Sequence, residues 1–203
     1  MPRISWKYFS LLAMLVLAGC ATPNVDQNVA PSQLANTGLV FASVSTSVEY
    51  RYGPIALFNF KKGGIAKSRE EHIPGATLKP SELQEDYGRL VVLEMPAGAN
   101  SLQRWHVAHG TTHYTPRQDF PEINFIVEPG KALYLGNLHI HVRMGRNFVN
   151  QPVIGDLVPE IRDFSERDVA MLKSRYPNIG DAEIILEQPF LGLWSPTNPS
   201  PAP

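Results

Sequence analysis

Residues 123–144 read INFIVEPGKALYLGNLHIHVRM, and the alternation in this stretch decides the fold. Ile123, Phe125 and Val127 fall on one side of a short strand. Glu128-Pro129-Gly130-Lys131 then forms a tight turn, since proline pre-sets φ and glycine tolerates positive φ. From Ala132 to Met144 a long strand follows. Leu138, Ile140, Val142 and Met144 face one way, and Asn137, His139, His141 and Arg143 face the other. Gly136 interrupts it, where a bulge or a close backbone approach is expected. Apolar on one side and polar on the other is the signature of a half-buried antiparallel sheet, polar side to water.

Working outward, Leu90–Met95 (LVVLEM) repeats the alternation and ends at Pro96-Ala97-Gly98, with Ser101–Val107 as its expected return strand. Leu39–Val44 and Ile55–Phe60 are further strands, the second closed by Lys61-Lys62-Gly63-Gly64. One helix is expected over Glu166–Arg175. Ser165 is its cap, Asp168 the capping-box partner, Val169, Leu172 and Tyr176 the apolar stripe, and Pro177 the stop. Ala182–Leu186 reads as a last strand. The expectation is a mainly β protein: an antiparallel β-sandwich with one C-terminal α-helix, spanning residues 38–190. Residues 20–37 read as a flexible tether, and residues 191–203, rich in proline, as an extended tail.

The chain has 203 residues, with 18 Lys+Arg against 19 Asp+Glu and a single cysteine. That composition excludes a disulfide scaffold, intrinsic disorder and a strongly basic nucleic-acid binder. Residues 1–19 have the layout of a secretion signal. Arg3 and Lys7 precede the apolar run Leu11–Ala18, which is too short for a membrane span of roughly 20 residues. Without residues 1–19 the mature chain would carry a net charge of −3, with histidine neutral.

Leu17-Ala18-Gly19-Cys20 resembles the lipobox of bacterial lipoproteins. The resemblance implies that the Cys20 thiol receives a diacylglyceryl group, that the signal is cut before it, and that the new amino terminus is acylated. Ala21, not Asp, then implies sorting to the outer membrane. An incidental cysteine behind an ordinary signal is the alternative, though an exported protein with one unpaired thiol otherwise lacks an explanation. Met95-Pro96-Ala97-Gly98 and Phe125–Leu138 also resemble a recurring domain of such lipoproteins, built as a transthyretin-like or carboxypeptidase-regulatory-like β-sandwich. In that family the second motif is a hairpin, and the motifs carry turn chemistry, not an activity.

The candidate chemistry is histidine. His139 and His141 project from one strand face about 7 Å apart, a spacing that can chelate Zn or Cu if His109 or His113 folds over as a third ligand. Solvent-facing rings on the wet side of the sheet fit the same pattern. Trp105, Tyr114, Phe190 and Trp194 are candidates for a sugar or peptide surface, or for packing under a loop. Asp156, Glu160, Asp163, Glu166 and Asp168 form an acidic run that borders a helix start. The sequence contains no Gly-x-Ser-x-Gly elbow, phosphate loop or His-Glu-x-x-His helix. The reading is therefore a non-catalytic, membrane-anchored envelope module without a resident cofactor. Its expected partner is an envelope protein or glycan, not nucleic acid; a histidine-based metal-binding protein is the alternative.

Overall fold

The computed structural model describes residues 24–48, 53–69 and 80–197. Eleven strands and one helix lie in the described residues: β1 Thr37–Thr46, β2 Ile55–Phe60, β3 Ile65–Lys67, β4 Tyr87–Pro96, β5 Gly98–His109, β6 Thr112–Tyr114, β7 Ile123–Val127, β8 Ala132–Arg146, β9 Pro152–Arg162, α1 Ser165–Arg175, β10 Ile184–Ile185 and β11 Gly192–Leu193. They form a two-sheet β-sandwich with one α-helix. The first sheet has the order β11-β9-β8-β1-β4, with β10 also on β8; the second has β3-β2-β5-β6, with β7 on β5. The first sheet is mixed, because β1 and β10 each run parallel to β8. No helix among the described residues is long and apolar enough to cross a membrane.

The core lies between the sheets. Val40, Ala42 and Val44 of β1, Leu138, Ile140 and Val142 of β8, and Val91, Leu93 and Met95 of β4 meet Phe58, Trp105, Val107, Phe125 and Val127 from the second sheet. Period-two alternation is what permits this: each strand gives every second side chain to the interior. The bulge expected at Gly136 is present. Phe41 pairs with Tyr134 and Ser43 with Asn137, so β8 spends one residue more than β1. Gly136 takes φ 97°, and a Cβ there would press on Ile161 and the Arg162 carbonyl. The extra residue inverts the parity of β8. Leu133 and Leu135 face the core before it, and Leu138 and Ile140 after it. Without it, Asn137 and His139 would point into hydrocarbon.

Two turns differ from their sequence expectation. β4 and β5 belong to different sheets, as do β7 and β8, so neither Pro96-Ala97-Gly98 nor Glu128-Pro129-Gly130-Lys131 closes a hairpin. Both carry the chain across one corner of the sandwich. There β5 pairs with β7 from Gly98↔Val127, while β1 pairs with both β4 and β8. Asn36 and Thr37 join the corner: the Asn36 carbonyl accepts from Ala97 N at 3.0 Å and the Thr37 carbonyl from Gly130 N at 3.1 Å. Alternation reveals strands but does not say which pairs close in one sheet.

A second, smaller core covers the outer face of the first sheet. Leu172 of α1, with Tyr176 and Ile179 just after it, packs on Leu39, Phe41, Leu90, Val92, Ala132 and Tyr134. The segment read as a tether belongs to this layer from Asn24 onward. Val25 N donates to the Val92 carbonyl at 3.1 Å, and the Asn24 side chain bonds Leu90 and Val92. Val25, Val29 and Leu34 pack against the helix cluster. Three apolar side chains spaced along a polar stretch suffice to dock it, and the edge of β4 supplies backbone partners. The tail differs in the same way. β11 pairs with β9, and Trp194 is fully buried with its Nε1 donating to the Pro121 carbonyl at 2.8 Å.

Candidate functional site

Beside the small core, the outer face of the first sheet turns polar. β1 places Ser43 and Ser45 on the same side as Leu39 and Phe41, and β8 places Asn137 and His139 next to them. All four are buried, as is Asp168 of α1. Of the polar-outward residues of β8, Asn137 and His139 are therefore not wet, while His141 is half-exposed and Arg143 exposed. Helix α1, the strand end at Arg162 and the loop at Asp86 close over the buried pair.

Asp168 is the hub at one end. Its Oδ2 accepts from Ser43 Oγ at 2.6 Å and from the Tyr134 hydroxyl at 2.8 Å, and its Oδ1 from Arg167 Nε at 2.9 Å. Burial, then the charge of Asp168, push the Tyr134 hydroxyl far above its ordinary pKa, so it stays protonated and donating. Asp168 is thus no capping-box partner. The backbone at Phe164 precedes the helix without a side-chain cap, and Asp163 Oδ1 accepts from Ser165 N at 2.9 Å instead. That bond, followed by one from Gln188, holds the Asp163 carboxyl below its usual range. Arg167 Nη1 is buried with no hydrogen-bond partner among the described residues, but its guanidinium lies 4.2 Å from the centre of the Phe164 ring. A cation over an aromatic face offsets part of that loss.

Arg162 is the hub at the other end. Its Nε and Nη2 donate to Asn137 Oδ1 at 2.9 and 2.6 Å, and Nη2 also pairs with Asp86. The same nitrogen lies 2.9 Å from His139 Nδ1, and Ser45 Oγ lies 2.8 Å from that atom. A guanidinium only donates, so His139 Nδ1 accepts and the proton sits on Nε2. Burial first, and then the Arg162 charge, hold the ring far below its ordinary pKa, with Asp86 opposing. The imidazole is neutral. Asp86 faces Arg162 at this end and Asp168 faces Arg167 at the other, so the network balances its own charge.

A serine hydroxyl 2.8 Å from an imidazole nitrogen is the spacing of a nucleophile and its base. Here Ser45 is 0 % exposed and His139 1 %. Asn137 Nδ2 also donates to Ser45 Oγ at 3.1 Å. A substrate would have to displace α1 or the Asp86 loop to reach the oxygen. As built, the arrangement locks three distant segments together.

The histidines named in the sequence do not converge. His139 and His141 lie on the outer face of the first sheet, alternating with core residues Leu138 and Ile140. Their rings are 4.5 Å apart, but His141 Nε2 is taken by Glu160 Oε2 at 2.6 Å. His109 and His113 belong to β5 and β6 of the other sheet, where the His113 ring approaches His106 at 5.9 Å. Burial, then His113, lower the His106 pKa. The core separates the two sets, and no group of three or more metal-ligating side chains able to hold an ion occurs among the described residues. Among the described residues, His139 and His141 thus do not meet His109 or His113 as one ligand set for Zn or Cu. Strand alternation gives a face but not the sheet that carries it.

An open depression exists on the second sheet. The 115–120 loop, between β6 and β7, borders a cleft of about 320 Å³ whose polar lining includes Gln103, Arg104, Gln118, Asp119 and Glu122. Trp105, Phe120 and Trp194 support the loop edge-to-face, with ring centres 5.7 and 5.6 Å apart. Trp105, Trp194 and Phe190 are buried, so of the four sequence candidates only Tyr114 is partly open. Ser101 Oγ first, and then Lys61, hold the Glu122 carboxyl below its usual range. Cys20 lies outside the described residues.

Sequence reading missed Ser43, Ser45, Asp86, Tyr134, Arg162 and the true role of Asp168. The signal was present in LVFASVST, where two serines share the parity of Leu39 and Phe41. No family model, curated protein or solved structure matches the chain.

Proposed function

We propose that the chain is an exported bacterial lipoprotein, anchored through acylated Cys20 at the outer membrane. In this reading the β-sandwich is a non-catalytic module of the transthyretin-like kind that binds an envelope protein or glycan. The observation that carries it is the cleft beside the 115–120 loop. There hydrogen-bonding groups of both signs, Arg104, Gln118 and Asp119, face an open depression on an aromatic support. In contrast, the buried groups that could do acid–base or nucleophilic work are spent on one another around Asp168 and Arg162. The lone cysteine, placed directly after LLAMLVLAG, supports the anchor. An anchored module meets envelope partners at high local concentration, so a modest cleft is sufficient.

Crosslinking in intact envelopes tests the reading. The wild-type chain should give a discrete adduct that weakens with Asp119→Ala and Arg104→Ala and disappears with Cys20→Ala. An adduct indifferent to all three changes would contradict it.

A further inference from the structure

We infer that the cleft beside the 115–120 loop takes an extended polypeptide segment, which pairs through its main chain with Trp105 on an open edge of β5. The inference rests on the reading of that cleft as the binding site, and it narrows the partner from protein or glycan to a peptide backbone.

The edge is open because two prolines break it. β6 pairs with β5 from His109↔Thr112 to Val107↔Tyr114, and the same register continued would set Trp105 opposite Pro116. β7 pairs with β5 from Gly98↔Val127 to Leu102↔Ile123, and its register continued would set Arg104 opposite Pro121. Proline has no N–H to give a ladder. The chain leaves the sheet between them, and residues 115–122 arch past the stretch of β5 from Gln103 to His106.

Trp105 turns its main-chain groups toward that arch. On β2, Ala56 N donates to Ser68 Oγ at 3.0 Å and the Ala56 carbonyl accepts from Ser68 N at 2.9 Å, so Ala56 and, two residues on, Phe58 bond away from β5. Phe58↔Trp105 is therefore a non-hydrogen-bonded pair, and Trp105 N–H and C=O point to the side of β6 and β7. Among the described residues no hydrogen bond reaches them from the arch or from a side chain. The Trp105 indole Nε1 is buried and also without a partner. One residue, 4 % exposed, thus keeps two donors and an acceptor unspent. Buried backbone groups and indole N–H groups are almost always bonded.

A strand laid along this edge presents a carbonyl to Trp105 N–H and an N–H to its carbonyl, and an acceptor of the same segment can meet the indole. The hydroxyls of a glycan do not repeat at the ladder spacing. The cover over the edge is easily lifted. Residues 115–120 make no hydrogen bond or ion pair among the described residues, and Phe120 holds them, edge-to-face between Trp105 and Trp194. Opening the loop costs packing but no hydrogen bond, which marks it as a segment of low local stability. Depressions of about 320 and 630 Å³ border the loop, and Trp105, Pro116 and Phe120 line both. Space for a short segment is therefore already present.

The test uses the full-length chain in detergent micelles, labelled with ¹⁵N-tryptophan, with the Trp105 signals assigned by their loss in Trp105→Phe. The probes are a sequence-randomised pool of capped hexapeptides, the same pool N-methylated at alternate amides, and a tetrasaccharide of N-acetylglucosamine. The inference predicts that the plain pool moves both the backbone and the indole signal of Trp105 downfield and slows their exchange with solvent. The N-methylated pool should do neither. Pro116→Val gives the loop an N–H to close the ladder on Trp105 and should abolish the response, whereas Phe120→Ala loosens the cover and should strengthen it. An equal response to both pools means contact through side chains and overturns the inference, whether or not Pro116→Val folds. A response to the tetrasaccharide alone overturns it and leaves the cleft as a glycan site. With no response to any probe, an envelope adduct that still depends on Arg104 and Asp119 confines the failure to this inference. If that adduct is absent too, the reading of the cleft falls with it.

Discussion

Ser43 Oγ donates to Asp168 Oδ2 at 2.6 Å across 125 residues of sequence, and both side chains are fully buried. This bond joins β1 to α1, the one α-helix among the described residues. Removing the carboxylate would leave Ser43 and the Tyr134 hydroxyl without this acceptor and Arg167 without its counter-charge. Asp168→Ala should therefore cost about 3–5 kcal/mol of unfolding free energy, because a broken buried pair leaves an uncompensated charge. Ser43→Ala should cost less, about 1–3 kcal/mol. Urea unfolding of both variants checks the order.

Acid should act through His139. Its folded-state pKa lies below the unfolded value of about 6.5, so the folded state binds fewer protons. The stability from keeping the ring neutral is complete above that value and is lost as pH falls below it. His106, also lowered, adds to the same trend. Between pH 6.5 and 5, before carboxylates protonate, unfolding free energy should decline, and His139→Gln should have a shallower decline than wild type. Parallel curves for the two proteins would contradict the neutral-ring assignment.

The C-terminal strap should matter as much as a core strand. Trp194 is buried against Phe120 and anchors its indole on Pro121. Trp194→Ala should destabilise by about 3–5 kcal/mol, as for other large core truncations. A chain ending at Phe190 should lose at least as much. Thermal unfolding of the two forms decides whether this segment is structural.

Two glycines separate steric need from mere presence. At Gly88 a Cβ would run into the Val44 carbonyl and the Ser45 backbone, so Gly88→Ala should cost about 1–3 kcal/mol through displaced strands. Gly180 has φ −79°, and only Glu183 Oε2, at 3.5 Å, comes near its added Cβ. Gly180→Ala should be neutral or stabilising by about 0.4–1 kcal/mol, since it restricts the unfolded chain. Denaturation midpoints of the pair provide the comparison.

Much of the architecture was legible in local pattern. Alternation located β4, β7 and β8, the Val169–Leu172–Tyr176 stripe located the helix, and Gly136 marked the bulge. Pairing across sheets was not legible, because Pro96-Ala97-Gly98 and Glu128-Pro129-Gly130 have the same turn chemistry whether the chain returns in one sheet or crosses to another. The buried network was hidden for a related reason. Asp168 sits where a capping-box carboxylate would sit, and only the packing of α1 on Ser43 and Tyr134 reveals its other use. The docked stretch from Asn24 to Asn36 escaped notice because its apolar residues are sparse and its partner is the distant edge of β4.

The anchor remains the claim on which location and function both stand. Mass spectrometry of the mature chain extracted from envelopes tests it most directly. The account predicts an amino-terminal Cys20 carrying a thioether-linked diacylglyceryl group and an N-acyl chain. A free thiol at Cys20 on a chain released into the aqueous fraction would contradict it.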